Sequence, residues 1–423
     1  MAVLAAVSMW CYADFILIPH QQKQGAKLGI PRGILSDLYP RWLGARELLL
    51  HGRDPYSAEV TKEIQRGYYG RELDPTRPND PKDQQGFAYP VYVTFLLAPT
   101  VTMPFEFVRV AFRWLLIFLT AATVPLWLRT IGWRASWITT PTWVIATLGS
   151  FAAVQGIKLQ QLTLLVCALI AAAMAALAAG HLVLAGTLLA VATIKPQLVG
   201  ILSVWLLFWT LSDWRARKRF AVGLLATLLV LILGGEWILP GWISKFRAAA
   251  KAYIQYTGGG KSVLDVALGP TLGASAALFI LLLIAVFLWR YRAATQTDPA
   301  FAWSLALVLA ATLTVIPTYA PYNQLLLVPV LMLIARNATE FWKRGRLDRW
   351  FLFVTALCIL WSWLSAALLC ALLPVVPRGR LEGLWAIPLA SSLWVPVAVL
   401  GFTALCAWKQ SRERSIRVVS TVS

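Results

Sequence analysis

The chain of 423 residues is 59% hydrophobic and 13% charged, with a mean hydropathy of +0.67. An apolar share this far above that of a water-soluble domain reads as an all-α polytopic membrane protein and excludes a soluble globular fold. The formal net charge of +19 lies mainly in short connections between apolar runs, where membrane insertion and anionic lipid explain it, and with no basic soluble domain nucleic acid is excluded as a partner.

Helices of about 17 to 25 apolar residues cross roughly 30 Å of hydrocarbon. About twelve such runs follow one another, near residues 2–19, 107–128, 138–156, 160–179, 181–195, 197–212, 220–238, 271–289, 301–317, 322–335, 350–374 and 386–408. The first has no basic n-region and no A-x-A-like cleavage site before His20, so it reads as a retained span rather than a signal peptide. It begins almost at Met1. No fixed-period repeat or linker divides the chain, and residues 1–423 read as one membrane domain.

Alternate connections test the orientation. Those after the second, sixth, eighth, tenth and twelfth runs hold seventeen Lys and Arg against five acids, whereas residues 20–106 hold eleven bases and ten acids. Both termini are therefore expected in the cytoplasm, with residues 20–106 outside. Tryptophans near run ends, such as Trp133, Trp214, Trp237, Trp242, Trp342 and Trp350, fit an interfacial belt. The five cysteines all fall in apolar runs, without a CxxC pair or a His/Cys cluster, so neither a disulfide framework nor a metal site is expected.

The insert 20–106 has three parts. From Leu38 to Leu50 the residues Leu38, Trp42, Ala45, Leu48 and Leu49 recur at helical spacing, which predicts a helix along the membrane surface with Asp37 at its N-cap and Gly52 and Pro55 stopping it. Residues 71–85, with Pro75, Pro78 and Pro81, read as irregular loop. Residues 87–104 turn apolar but carry three prolines, which predicts a short or re-entrant helix beside Asp37. A second outer loop, 237–270, carries Lys245, Lys251, Tyr253 and Tyr256 on an amphipathic helix ended by Gly258-Gly259-Gly260; it either covers a lipid phosphate or lies in the interface with its lysines snorkelling.

Polar groups converge at four outer run ends: Asp37, the segment 155–161 ending in Gln160-Gln161, Lys195-Pro196-Gln197, and the segment 317–324 with Tyr319, Tyr322, Asn323 and Gln324. Ionisable groups at membrane depth are costly without a partner or a role. These types suit sugar transfer from a lipid phosphate to a hydroxyl. Asp37 takes the acceptor proton, Lys195 with Lys245 and Lys251 neutralises the phosphate, and Gln161, Gln197, Tyr319, Tyr322 and Asn323 bind sugar or acceptor hydroxyls. No cofactor or metal is needed. The plainer alternatives are an N-cap role for Asp37 and an interfacial role for Lys195. Asp14 reads as a structural partner near the outer face, His181 lies on the inner side, and His20 and His51 read as loop residues.

With these residues the chain resembles the integral-membrane GT-C glycosyltransferases, most closely the glycosyltransferase family 87 group of polyprenol-phosphate-mannose-type mannosyltransferases. The resemblance is carried by Ser36-Asp37-Leu38-Tyr39, Ala45-Arg46 and Gly52 with Pro55-Tyr56. Tyr89-Pro90 with Pro99, Gln161-Leu162 and Lys195-Pro196-Gln197 support it. It implies a GT-C fold with a large extracytoplasmic first loop carrying interfacial helices, in the bacterial plasma membrane. It further implies a polyprenyl-phosphate-sugar donor, a lipid, glycan or protein acceptor, an extracytoplasmic site, and inversion with Asp37 as base. Where that family often has a histidine before the tenth span, this chain has Tyr322-Asn323-Gln324. A secondary transporter shares the twelve-span layout but commonly shows two related halves, and a non-enzymatic scaffold would not depend on Asp37.

Overall fold

The computed structural model describes residues 1–27, 36–74, 76–256, 260–317 and 319–422, with side chains as far as Lys409. Among them every regular element is helical. The first helix, α1 (Ala2–Lys27), contains a π-helical turn at Ala13–Leu17. The insert then forms α2 (Tyr39–His51), α3 (Ala58–Tyr69), α4 (Val93–Leu97) and a 3-10 turn at Ala98–Thr100.

The bundle continues with α5 (Phe105–Thr130), α6 (Thr139–Leu148), α7 (Phe151–Lys158), α8 (Leu162–Ala178), α9 (Leu182–Ala192), α10 (Pro196–Ser212) and α11 (Trp214–Ile238). Outside it lie α12 (Trp242–Tyr256) and α13 (Val263–Leu268), followed by α14 (Pro270–Arg290) and α15 (Pro299–Val315). A 3-10 segment, Pro321–Leu327, leads into α16 (Val328–Arg336), and α17 (Ala338–Arg344), α18 (Arg346–Leu372), α19 (Arg378–Gly383) and α20 (Val395–Val422) complete the chain.

Among the described residues five helices, α1, α5, α11, α14 and α18, are long and apolar enough to cross a membrane, or six if the bent pair at Pro321–Arg336 and Ala338–Arg344 is one crossing. Others are shorter than their apolar runs. The run 138–156 breaks at Gly149-Ser150, where the Ser150 hydroxyl caps α7 by accepting from the Ala153 amide. The run 181–195 holds only the eleven residues of α9. That helix packs most closely on α11 along a glycine seam: a Cβ on Gly186 would stand 2.3 Å from the Phe220 carbonyl, and one on Gly223 2.3 Å from that of Val183. Such close approach is how helices associate where lipid removes the hydrophobic drive between them.

The basic connections meet one another at one end of the bundle. Arg336 donates to the Ile131 carbonyl at 2.6 Å, and Lys409 pairs with the buried Asp348. Buried Arg217 donates to the carbonyls of Trp209, Arg292, Ala293 and Ala294 at 2.8 to 3.2 Å. The insert caps the opposite end. Tyr92 reaches the Thr193 carbonyl at 3.0 Å, and Asp37 N–H reaches that of Leu159 at 2.8 Å.

Three expectations change. Helix α2 does not lie on a surface: Arg41, Trp42, Ala45, Glu47 and Leu48 are all buried, because α3 and α4 cover faces that the sequence pattern leaves open. Asp37 is not its cap, since Leu38 precedes the helix and no side chain caps it. Trp242 is buried, its indole N–H donating to the Ile232 carbonyl at 3.3 Å, whereas Trp214, Trp237, Trp342 and Trp350 are exposed. Gly52, at φ +65°, does end α2, while Pro75, Gly258, Gly259 and Thr318 lie outside the described residues.

Candidate active site

The site is assembled from helix ends. Between α7 and α8 the chain turns sharply through Gln160, whose φ of +49° is left-handed and strained for a side-chain-bearing residue. Its amide holds the turn by donating to the Ile157 and Lys158 carbonyls, each at 2.9 Å. This aims the next residue, Gln161, at Asp37: the Gln161 amide donates to one oxygen of the Asp37 carboxylate. The other oxygen lies 3.4 Å from the Tyr68 hydroxyl, and the Asp37 carbonyl accepts from Arg41 at 3.0 Å.

Lys195 precedes Pro196 at the start of α10 and is 6% exposed. Its ammonium donates to Gln161 Oε1 at 3.0 Å and to Thr163 Oγ1 at 2.5 Å, and Thr163 in turn donates to Asn323 Oδ1 at 3.2 Å. Gln161 therefore links the base candidate to the cation candidate, donating to one and accepting from the other. Tyr89 lies between two cations, with Arg41 4.7 Å and Lys195 5.7 Å from its ring centre, and Lys195 is 5.2 Å from that of Tyr322.

These groups face a cavity of about 250 Å³ lined by Asp37, Arg41, Gln161, Lys195, Gln197, Tyr322 and Asn323, with Asp83, Gln85 and Tyr89 from the insert and Tyr253 from α12. Arg41 is 8% exposed and its Nε has no hydrogen-bond partner. Burial works against its charge, but Tyr89, Asp37, Tyr253 and Asp83 together outweigh it, and its pKa is raised. Burial also lifts the Asp83 carboxyl above its ordinary range, against the opposing pull of the Gln85 amide and Arg41. The same cause pushes the Tyr89 and Tyr253 phenols up to about 12, so both remain neutral donors at physiological pH. Among the described residues no group of three or more His, Cys, Asp or Glu could hold a metal ion.

A second, apolar space adjoins the cavity. A groove of about 620 Å³ shares Pro196, Gln197 and Pro317 with it and runs along α10 through Gly200, Ile201, Val204 and Phe208. Its far wall is α14, with Leu281, Ile284, Leu288 and Trp289. From Gln197 to Phe208 the helix rises by roughly 16 Å. A polar chamber thus borders an apolar trough of a length suited to part of a lipid chain.

Residues 87–317 match a family model described as Glycosyltransferase family 87. The chain belongs to glycosyltransferase family 87. Neither a search of curated proteins nor one of solved structures returned a match. The protein is therefore a glycosyltransferase with membrane-spanning character. Tyr89, Gln161, Lys195, Gln197 and Tyr253 lie within the matched span, while Asp37, Arg41, Tyr322 and Asn323 lie outside it.

Of the family 87 chain's candidates from sequence, Asp37, Gln161, Lys195, Gln197, Tyr322 and Asn323 line one cavity. The other three stand apart. Lys245 pairs with Asp54 at 2.9 Å, Lys251 is exposed, and the Tyr319 hydroxyl pairs with that of Ser392 at 2.5 Å; none of them lines the cavity. His51 pairs with Glu47, His20 stacks on Trp385, and His181 is exposed before α9. Sequence reasoning missed Arg41, Asp83 and Gln85, and met Tyr89 only as part of a motif. The sequence offered one weak signal for Arg41: an arginine four residues after an acid at a helix start.

Proposed function

We propose that the protein transfers a hexose, mannose first among candidates, from a polyprenyl-phosphate sugar to a hydroxyl acceptor with inversion at the anomeric carbon. The observation that carries this reading is that the cavity holding Lys195 and Arg41 adjoins the apolar groove, the two sharing Pro196, Gln197 and Pro317 as lining. A lipid chain in the groove brings its phosphate beside Lys195 and Arg41, and the sugar then lies toward Asp37.

In the reaction, Asp37 accepts the proton of the attacking hydroxyl as its oxygen bonds to the anomeric carbon. The bond from that carbon to the phosphate oxygen breaks, and polyprenyl phosphate leaves with the electron pair. Lys195 and Arg41 offset the charge gathering on the phosphate. Gln161 orients the base, and Gln197, Tyr322 and Asn323 are placed to meet sugar hydroxyls. The acceptor enters along the insert side, past Asp83, Gln85 and Tyr253, from the water side of the membrane.

This reading takes the twelve apolar runs as twelve crossings of a GT-C-type bundle, with the basic connections and both termini cytoplasmic and the cavity extracytoplasmic, in a bacterial plasma membrane. Its test uses detergent-solubilised protein, labelled polyprenyl-phosphate mannose and a membrane-lipid extract. Consumption of the donor without a sealed membrane, with product of inverted anomeric configuration, is expected. Retained configuration would refute the single displacement. Failure to consume this donor while another lipid-phosphate sugar is used would refute mannose.

A further inference from the structure

We propose that the ion pair between Asp14 and Lys158 is a positioning device that sets the place of Asp37; the proposal rests on the reading of Asp37 as the base. Asp14 belongs to the π-helical turn of α1. An ionisable side chain in such an apolar helix is costly unless it has a partner or a role, and π-turns concentrate at functional sites. Its carboxylate, 44% exposed at the outside of the bundle, meets the Lys158 ammonium, which is 27% exposed and also lies 5.0 Å from the centre of the Trp10 ring. Trp10 donates to the Leu148 carbonyl at 3.2 Å. One stretch of α1 therefore grips the ends of both α6 and α7.

The three residues after Lys158 make this grip matter. The next carbonyl, Leu159, accepts the Asp37 N–H at 2.8 Å, and two residues further Gln161 holds the Asp37 carboxylate. Between them Gln160 is locked in its left-handed turn by its own amide, one bond of which goes to the Lys158 carbonyl. Segment 158–161 is thus a short rigid socket for the base. Helix α7 has only eight residues, too few to be stable alone; besides its buried packing on neighbouring helices, Asp14 and Trp10 anchor its Lys158 end from α1. Release of Lys158 shifts the socket as a unit.

A pair that served stability alone would, when broken, lower yield and thermal midpoint and leave kcat per folded molecule unchanged. A positioning pair changes kcat and leaves donor KM nearly alone. The experiment measures both constants on purified, folded full-length protein, with polyprenyl-phosphate mannose as donor and a membrane-lipid extract as acceptor. Wild type, Asp14→Asn, Asp14→Glu, the swapped Asp14→Lys/Lys158→Asp protein and Asp37→Asn are compared.

Asp14→Asn is expected to lose about tenfold in kcat, within the range that a sub-ångström to 1 Å misplacement produces, with donor KM within about twofold. Asp14→Glu should keep most activity, and the swap should recover part of the loss. Wild-type kcat in Asp14→Asn, beside an inactive Asp37→Asn, would overturn the proposal and leave the base assignment standing. Activity in Asp37→Asn would overturn the base assignment itself. If Asp14→Asn yields no folded protein, a swap that restores folding without restoring kcat overturns the proposal.

Discussion

Arg217 and Arg41 are almost equally buried, at 6% and 8% exposure, yet they are held in opposite ways at opposite ends of the bundle. Arg217 directs its guanidinium into four backbone carbonyls at helix ends, where a cation also complements the helix dipoles. Arg41 makes one bond to a carbonyl, lies against Tyr89, and leaves Nε without a partner at the wall of a cavity. Burial alone therefore does not mark function here. On the proposed reading the mark is buried charge whose hydrogen-bonding capacity is left open beside a cavity.

If the contrast holds, substitutions at the cavity end change turnover in folded protein, and those at the basic end change stability. Asp37→Asn should have the largest effect, a loss of roughly 10² to 10⁴ in kcat with the thermal midpoint kept, as removal of a general base predicts. Lys195→Met and Arg41→Met should each cost about 10²-fold in kcat/KM, the scale of losing one charge-stabilising donor. The check is steady-state kinetics on monodisperse protein.

Filling the groove sharpens the comparison from another side. Gly200 lines it, and a Cβ added there meets nothing within 4 Å, so Gly200→Trp should fold. It should raise KM for a long-chain donor by about tenfold, equivalent to ~1.4 kcal/mol, and leave a short-chain donor unaffected. At the other end Arg217→Met should lower unfolding stability by ~1 to 3 kcal/mol, because buried carbonyls lose their donor, with kcat per folded molecule unchanged. Smallest is Lys245→Ala: neither it nor its partner Asp54 lines the cavity, and activity should move by less than about threefold.

Much of the site was legible in the sequence because its residues sit at the ends of apolar runs. Polar groups are rare there, and Asp37, Gln161, Lys195 and Asn323 stand out against their neighbours. Arg41 did not stand out. It occupies a helix whose spacing fits an interfacial helix as well as a buried one, and only the covering contacts of α3 and α4 distinguish the two. Asp83 and Gln85 lie in a stretch that prolines mark as irregular, yet the structure pins it: Tyr69 donates to the Asp83 carbonyl at 2.8 Å and Gln65 to that of Gln84 at 3.1 Å. Lys245 showed the reverse error, since its basic amphipathic helix was visible but its partner Asp54, some 190 residues away, was not.

The fold divides similarly. Apolar length located the helices of the bundle, each run overlapping a helix or a broken pair, but not α3, α13, α17 or α19, and the breaks depend on local packing. Ser150 caps α7 where the run 138–156 is interrupted, and close contact of Gly149 with Ala6 of α1 leaves no room there for a Cβ. Neither feature is a matter of hydropathy.

The central claim is that Asp37, held by Gln161, which in turn meets Lys195, is the base for transfer from a lipid-phosphate sugar. The most direct measurement is label transfer from polyprenyl-phosphate mannose to membrane-lipid acceptor by equal amounts of folded wild type and Asp37→Asn. The account predicts transfer by wild type and a loss of at least about 10²-fold in the variant. Equal rates in the two proteins would contradict it.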